Sequence, residues 1–125
     1  MLAAVRGMST VDLLAVSLRL LERNNRLLAN NIANVDTPNF TPSHLDFHAS
    51  LRKALRHTTS TSGGVRRPLP MVLEDDGCEA RNDGNSVDIE TEMMKLAENT
   101  AKYELYAGLL KKKFEITKGM LTRLR

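Results

Sequence analysis

Residues 11–35, VDLLAVSLRLLERNNRLLANNIANV, decide the fold. Within them Val11, Leu14, Leu18, Leu21, Asn25, Leu28, Ile32 and Val35 recur at alternating steps of three and four, and seven of these eight positions are apolar. That spacing returns to the same side of an α-helix, so it predicts a helix with one continuous buried stripe. Leu13, Val16, Leu20 and Leu27 form a second stripe. Two stripes on one helix call for neighbours on two sides.

The C-terminal third repeats the pattern over a greater length. Ile89, Met93, Leu96, Thr100, Tyr103, Ala107, Leu110, Phe114, Thr117, Leu121 and Leu124 again alternate steps of four and three, with Met94, Ala101, Leu105, Leu109, Ile116 and Met120 beside them. Asp88, Glu90 and Glu92 stand at the start of this predicted helix, while Lys111, Lys112, Lys113, Lys118, Arg123 and Arg125 fill its last turns. This order complements the helix macrodipole. At a rise of 1.5 Å per residue the two helices would be about 37 Å and 54 Å long. The expected architecture is mainly α, with long N- and C-terminal helices pairing as an antiparallel, coiled-coil-like hairpin. Both second stripes would be left bare, which implies either other subunits or disorder until assembly.

Between the helices, Pro38 and Pro42 stop the first, because a residue before proline avoids the α region. Ser43 with Asp46 reads as a capping box for a short helix whose apolar face is Phe47, Leu51, Ala54 and Leu55. His57 and TTSTSGG end it. Residues 60–85 are expected to be loop, with VRRPLPMVL (65–73) as a short strand and DDG (75–77) and NDGN (82–85) as turns. Three segments result: the N-terminal helix in 1–36, a turn, short helix and loop in 37–86, and the C-terminal helix in 87–125.

The chain has 125 residues, 42% hydrophobic and 26% charged, one domain's length with no room for a separate cofactor fold. No run approaches the ~18 apolar residues that span a bilayer. The opening MLAAVRGMSTVDLLAV lacks the order of a cleavable secretory leader. Net charge is +3, spread as +1 over residues 1–36, 0 over 37–86 and +2 over 87–125, too even to argue for nucleic acid. The single Cys78 can form neither an internal disulfide nor a thiolate cluster.

Candidate chemistry is sparse. His44 and His48 are four apart on the predicted short helix, the spacing of two metal ligands on one face, yet sequence places no third ligand. Cys78 sits among Glu74, Asp75, Asp76, Glu79 and Asp83, surroundings that disfavour a nucleophilic thiolate. The Lys111–Lys113 cluster reads as a solvated helix end. The asparagines are the unusual feature: Asn24, Asn25, Asn30, Asn31 and Asn34 crowd one helix although Asn is a poor helix former. Asn25 falls in the seam, where a polar residue lowers stability and fixes register.

ANNIANVDTPNF (29–40) resembles the N-terminal signature of the flagellar rod and hook axial proteins: a helix ending in an Asn-rich turn, then Thr-Pro-Gly and an aromatic. Asn30, Asn31, Ile32, Ala33, Asn34, Thr37, Pro38 and Phe40 carry the likeness, and Asn39 stands where that family usually has Gly. Asn tolerates left-handed backbone angles, so the turn can survive. NDGNSVDIETEMMKLAENTAKYELYAGLLKKKF (82–114) is similar to the C-terminal part of the short proximal-rod members. The resemblance implies a structural subunit of the proximal rod, without catalysis or cofactor, exported uncleaved by the flagellar type III apparatus into the periplasmic rod. It implies self-association and contact with FliE, FlgC, FlgF and the membrane-ring protein FliF. The expected assembly interface comprises Leu14, Leu18, Leu21, Leu28, Ile32, Ile89, Met93, Leu96, Tyr103, Leu110, Phe114 and Leu121. The main rival reading is a helical-hairpin adaptor of a cytoplasmic complex.

Overall fold

The computed structural model describes residues 8–59, 73–74 and 79–124. Helix α1 runs Thr10–Ala33, β1 His44–Leu45, α2 Phe47–Thr59, β2 Leu73–Glu74 and α3 Ile89–Arg123. With 24 and 35 residues, α1 and α3 are about 36 Å and 52 Å long. The mainly α architecture with two long terminal helices is the one expected.

Each helix starts where its sequence supplies a cap. Ser9 accepts a hydrogen bond from the Val11 amide at the head of α1, and Asp88 accepts from the Glu90 amide at the head of α3. The Asp88 carboxylate also accepts from the Thr91 hydroxyl at 2.6 Å, which holds its pKa below the usual carboxylate value. A depressed pKa of this kind stabilises the helix end above the unfolded value, and the effect is lost as pH falls through the folded one.

The capping box expected from Ser43 does not form. His44 and Leu45 lie in a two-stranded antiparallel ladder opposite Glu74 and Leu73, and α2 begins only at Phe47. Asp46 caps it instead, its Oδ1 accepting from the Ala49 amide at 2.8 Å. The backbone of Ser43 is already engaged by Asn31, so helix can begin only beyond the strand. Of the strand expected at 65–73, Leu73 belongs to β2; the rest, with the DDG turn, lies outside the described residues.

The two long helices run antiparallel: Asn31 meets Glu92 near one end, and Asn24 and Asn25 meet Asn99 further along. Helix α2 packs on α1. This corrects the expectation that both second stripes stay bare. Leu20, from the second stripe of α1, is fully buried, and α1 contributes no exposed large apolar side chain. The apolar face of α2, with Ala54 and Leu55 buried, needed a partner of its own, and the turn at Pro38 and Pro42 brings it back over α1.

On α3 the second stripe does stay bare. Met94, Leu105, Leu109, Ile116 and Met120 are all exposed. The first half of α3 is moreover turned from the expected seam: its buried residues are Glu92 and Asn99, while Ile89 and Met93 face outward. Hydrogen bonding sets that rotation, since a buried carboxylate and a buried amide must find partners.

Truncating Leu21 or Leu28, each 1% exposed, to Ala is expected to cost about 2–5 kcal/mol in urea unfolding. The change Leu105→Ala, on the bare stripe, should stay within about 0.5 kcal/mol.

Candidate functional site

The last turn of α1 leaves carbonyl groups without helical partners. Asn34 caps it, its Nδ2 donating to the Asn30 carbonyl at 2.8 Å while its Oδ1 accepts from the Thr37 hydroxyl at 3.1 Å. The other carbonyls are met from far along the chain. Asn85 is wholly buried, and its Nδ2 donates toward the carbonyls of Asn34, Val35 and Thr37 at 2.9, 3.1 and 2.7 Å. Its Oδ1 accepts from the Val87 amide at 2.7 Å, and the Arg81 guanidinium also reaches Val35.

The two turns are further paired through their backbones. The Asn39 amide donates to the Asp83 carbonyl, and the Ser86 amide to that of Phe40. Both turns use left-handed backbone. Asn39 has φ 59° and Gly84 φ 78°, so Asn does take the conformation for which the rod and hook signature usually has Gly. At Gly84 two constraints coincide, because an added Cβ would lie 2.2 Å from Asn39 Oδ1.

One and a half turns before this clasp, a buried polar cluster joins three elements. Asn31 is fully buried; its Nδ2 donates to Glu92 Oε2 at 2.8 Å and to the Ser43 carbonyl at 3.0 Å, and its Oδ1 accepts from the Ser43 amide. His44 Nε2 lies 2.6 Å from Glu92 Oε1. An ionised carboxylate only accepts, so the imidazole N–H donates. Lys95 Nζ sits 3.3 Å from His44 Nε2 and 3.9 Å from Glu92 Oε1 at the cluster's outer edge. Two turns further along α3, Asn99 donates to the Leu21 carbonyl and to Asn25 Oδ1 and accepts from Asn24 Nδ2. These contacts join α1, β1 and α3 to one another.

The expected site residues divide accordingly. Asn31 and Asn34 make the contacts just given, Asn30 is exposed and accepts from Asn34, Ile32 and Phe40 are half-buried, and Ala33, Thr37 and Pro38 are exposed. Of the expected interface, Leu21 and Leu28 are buried in the chain's own core, whereas Leu14, Leu18, Ile32, Leu96 and Leu110 are half-buried. Ile89, Met93, Tyr103, Phe114 and Leu121 are exposed. Leu18, Ala107, Leu110 and Phe114 line an open groove of about 450 Å³ between α1 and α3.

His44 and His48 do not share a helix face. His44 is in β1 and is buried against Glu92, while His48 is exposed on α2, edge-on to Phe47. Among the described residues no group of three or more His, Cys, Asp or Glu is placed to hold a metal. Cys78 lies outside the described residues.

Sequence reading missed Asn85, Glu92 and Asn99. Asn85 was absorbed into a turn motif, and the other two fall off the apolar seam. A signal was present in the spacing: Asn24 and Asn31 are seven apart on α1, as are Glu92 and Asn99 on α3, a matched heptad of polar residues in two helices that pair.

The fold is a helical hairpin whose closed end is clasped by asparagine amides. No family model matches the chain. It is 33% identical over 118 residues to the flagellar basal body rod protein FlgB of Cereibacter sphaeroides, covering 89% of this chain and 90% of that one. To FlgB of Borrelia hermsii it is 32% identical over 116 residues, 80% of this chain and 86% of that one. To FlgB of Salmonella typhimurium it is 28% identical over 124 residues, 87% and 88% of the two chains. This chain belongs to the family of the flagellar basal body rod protein FlgB.

Removing the Asn85 amide takes the side-chain donor from the carbonyls of Asn34 and Thr37 and the acceptor from the buried Val87 amide, so Asn85→Ala is expected to cost about 1–3 kcal/mol in urea unfolding. The change Asn85→Asp should cost more, because it turns a carboxylate oxygen on those carbonyls. Stripping the partner from a buried carboxylate is costlier still: His44→Ala is expected to lose about 3–5 kcal/mol, measured the same way.

Proposed function

We propose that this protein is a structural subunit of the proximal rod of the bacterial flagellar basal body, carried out uncleaved by the flagellar type III apparatus and incorporated through its terminal helices. Its neighbours in the periplasmic rod are other copies of itself, the rod proteins FliE, FlgC and FlgF, and the membrane-ring protein FliF. Residues 1–36 and 87–125 make up the inner-tube part of the subunit, and 37–86 form its signature turn, short helix and loop. The reading has no catalytic step. The family relationship supports the rod assignment, since relatives matched over most of their length are flagellar basal body rod proteins.

The observation that carries the mechanism is the uneven exposure of the two long helices. Helix α1 leaves none of its large apolar side chains exposed, whereas α3 exposes Met93, Met94, Leu105, Leu109, Phe114 and Ile116, among others, along its length. An apolar surface of that extent marks a protein interface. At about 25 cal/mol per Å² of apolar area buried, it offsets the cost of ordering only where neighbours cover it. No helix among the described residues is long and apolar enough to cross a membrane, so these side chains do not build a bilayer span.

Deleting the gene in its flagellated host should leave membrane rings without a rod in electron cryotomograms; complete rods and hooks would point instead to the adaptor reading. A charge placed on the exposed helix separates folding from assembly. The Phe114→Glu variant is expected to stay folded by circular dichroism and to be exported, but to be missing from purified basal bodies. By contrast Leu21→Glu should lose the fold itself.

A further inference from the structure

The two faces of α2 differ in charge. Phe47, Leu51, Ala54 and Leu55 are buried or half-buried in a helix that packs on α1, and α2 exposes no large apolar side chain. Its outer face is cationic: Arg52 and Arg56 stand one turn apart with Lys53 beside them, and all three are exposed. Phe47–Thr59 contains no Asp or Glu. Asp46, just before it, is occupied as the cap.

Elsewhere the chain sets a carboxylate against an exposed cation. Glu22 meets Arg26 at 2.7 Å on α1, Glu98 meets Lys102 at 2.6 Å on α3, and Asp83 stands 3.7 Å from Arg81. Among the described residues no carboxylate meets Arg52 or Lys53. Arg52, Lys53 and Arg56 fall within about 6 Å along the helix axis, a repulsion that an acidic neighbour would relieve. A lipid surface suits this face poorly, because a helix lying on a membrane inserts an apolar face and that of α2 is turned inward. A second copy suits it poorly too. Glu90, Glu104 and Glu115, the exposed carboxylates of α3 that no cation meets, are spaced by about 21 and 16 Å. Asp12 and Asp36 stand at opposite ends of α1, and Glu79 shares a hollow with Arg81.

We propose that the outer face of α2 docks a carboxylate-bearing surface of a different protein of the basal body. The proposal rests on the rod-subunit reading above and adds a second interaction surface together with the charge of its partner. Arg52 and Lys53 are the anchors, and Arg56 extends the face by one turn. The guanidinium of Arg52 takes a carboxylate through two parallel hydrogen bonds, and Lys53 adds a point charge beside it. This face belongs to a different element from the bare stripe of α3 and differs from it in kind: the stripe is apolar, whereas the face of α2 selects by charge.

The test returns variants to the deletion strain and scores rods by cryotomography and swimming in soft agar, with folding followed by circular dichroism of the purified chains. Arg52→Glu with Lys53→Glu is expected to keep the folded spectrum and to lower rods and swimming about tenfold or more, since like charges then oppose each other across the contact. Arg52→Lys with Lys53→Arg should swim normally. Swimming revertants selected from the reversed strain should carry an acidic residue changed to a neutral or basic one in another basal-body protein, a repair that a merely damaged helix cannot receive. Revertants that change only carboxylates of this chain would assign the face to a second copy and overturn the proposal. Sedimentation of the purified chain with phosphatidylglycerol vesicles, lost on the same reversal, would assign it to lipid and overturn the proposal as well. Normal rods with the reversed face would also overturn it while leaving the rod reading intact. Complete rods in the deletion strain itself would remove both.

Discussion

A buried carboxylate governs this fold. Glu92 is almost completely hidden, and a charge in that position is tolerated only when its oxygens are met by well-placed donors. Asn31 from α1 meets one oxygen and His44 from β1 meets the other. To satisfy both, α3 must lie at one rotation and one height against α1, and the chain after Pro42 must turn back to bring His44 beneath. The apolar core follows from that placement. Leu20, Leu21 and Leu28 would pack against several neighbouring registers nearly as well, but the amides and the carboxylate would not. The interior accordingly holds Ser17, Asn31, His44, Ser50, Asn85, Glu92 and Asn99 beside its apolar residues. Some stability is given up for a single arrangement, which suits a part that must fit neighbours on its outside.

The same economy explains the exposed helix. Helix α2 packs on α1, whose second stripe has Leu20 fully buried and no exposed member. Helix α3 receives no such cover, and its rotation toward Asn31 and the Asn24–Asn25 pair turns Met93 and Ile89 outward. The polar cluster and the bare surface are thus two results of one rotation. What the subunit presents to other molecules is set by what it hides.

Much of this was legible beforehand. Steps of three and four placed both long helices to within two residues at either end, because periodicity over many turns averages out individual exceptions. Left-handed backbone at Asn39 could be read from a Gly position occupied by Asn. Three things could not. The rotation of α3 depends on partners brought from β1 and α1, which a stripe read along one helix does not contain. Ser43 looked like a cap because Asp46 follows it by three, yet its backbone was claimed by Asn31, twelve residues upstream. Asn85 looked like turn chemistry, and part of it is, but its amide serves carbonyls about fifty residues away. Local patterns predict local hydrogen bonds; long-range ones appear only when the elements are in place.

That distance has a kinetic meaning. The long-range bonds of the clasp and the polar cluster join residues separated by 44 to 78 positions, beside the short link between Asn31 and Ser43. A growing chain that has reached residue 84 has α1 and α2 in hand but neither the Asn85 amide nor Glu92 and Asn99, so the last-turn carbonyls and Asn24 and Asn25 of α1 lack the partners they have in the finished fold. Closing such loops is slow compared with forming single helices. The register of the hairpin is therefore fixed only after the last third of the chain has been made.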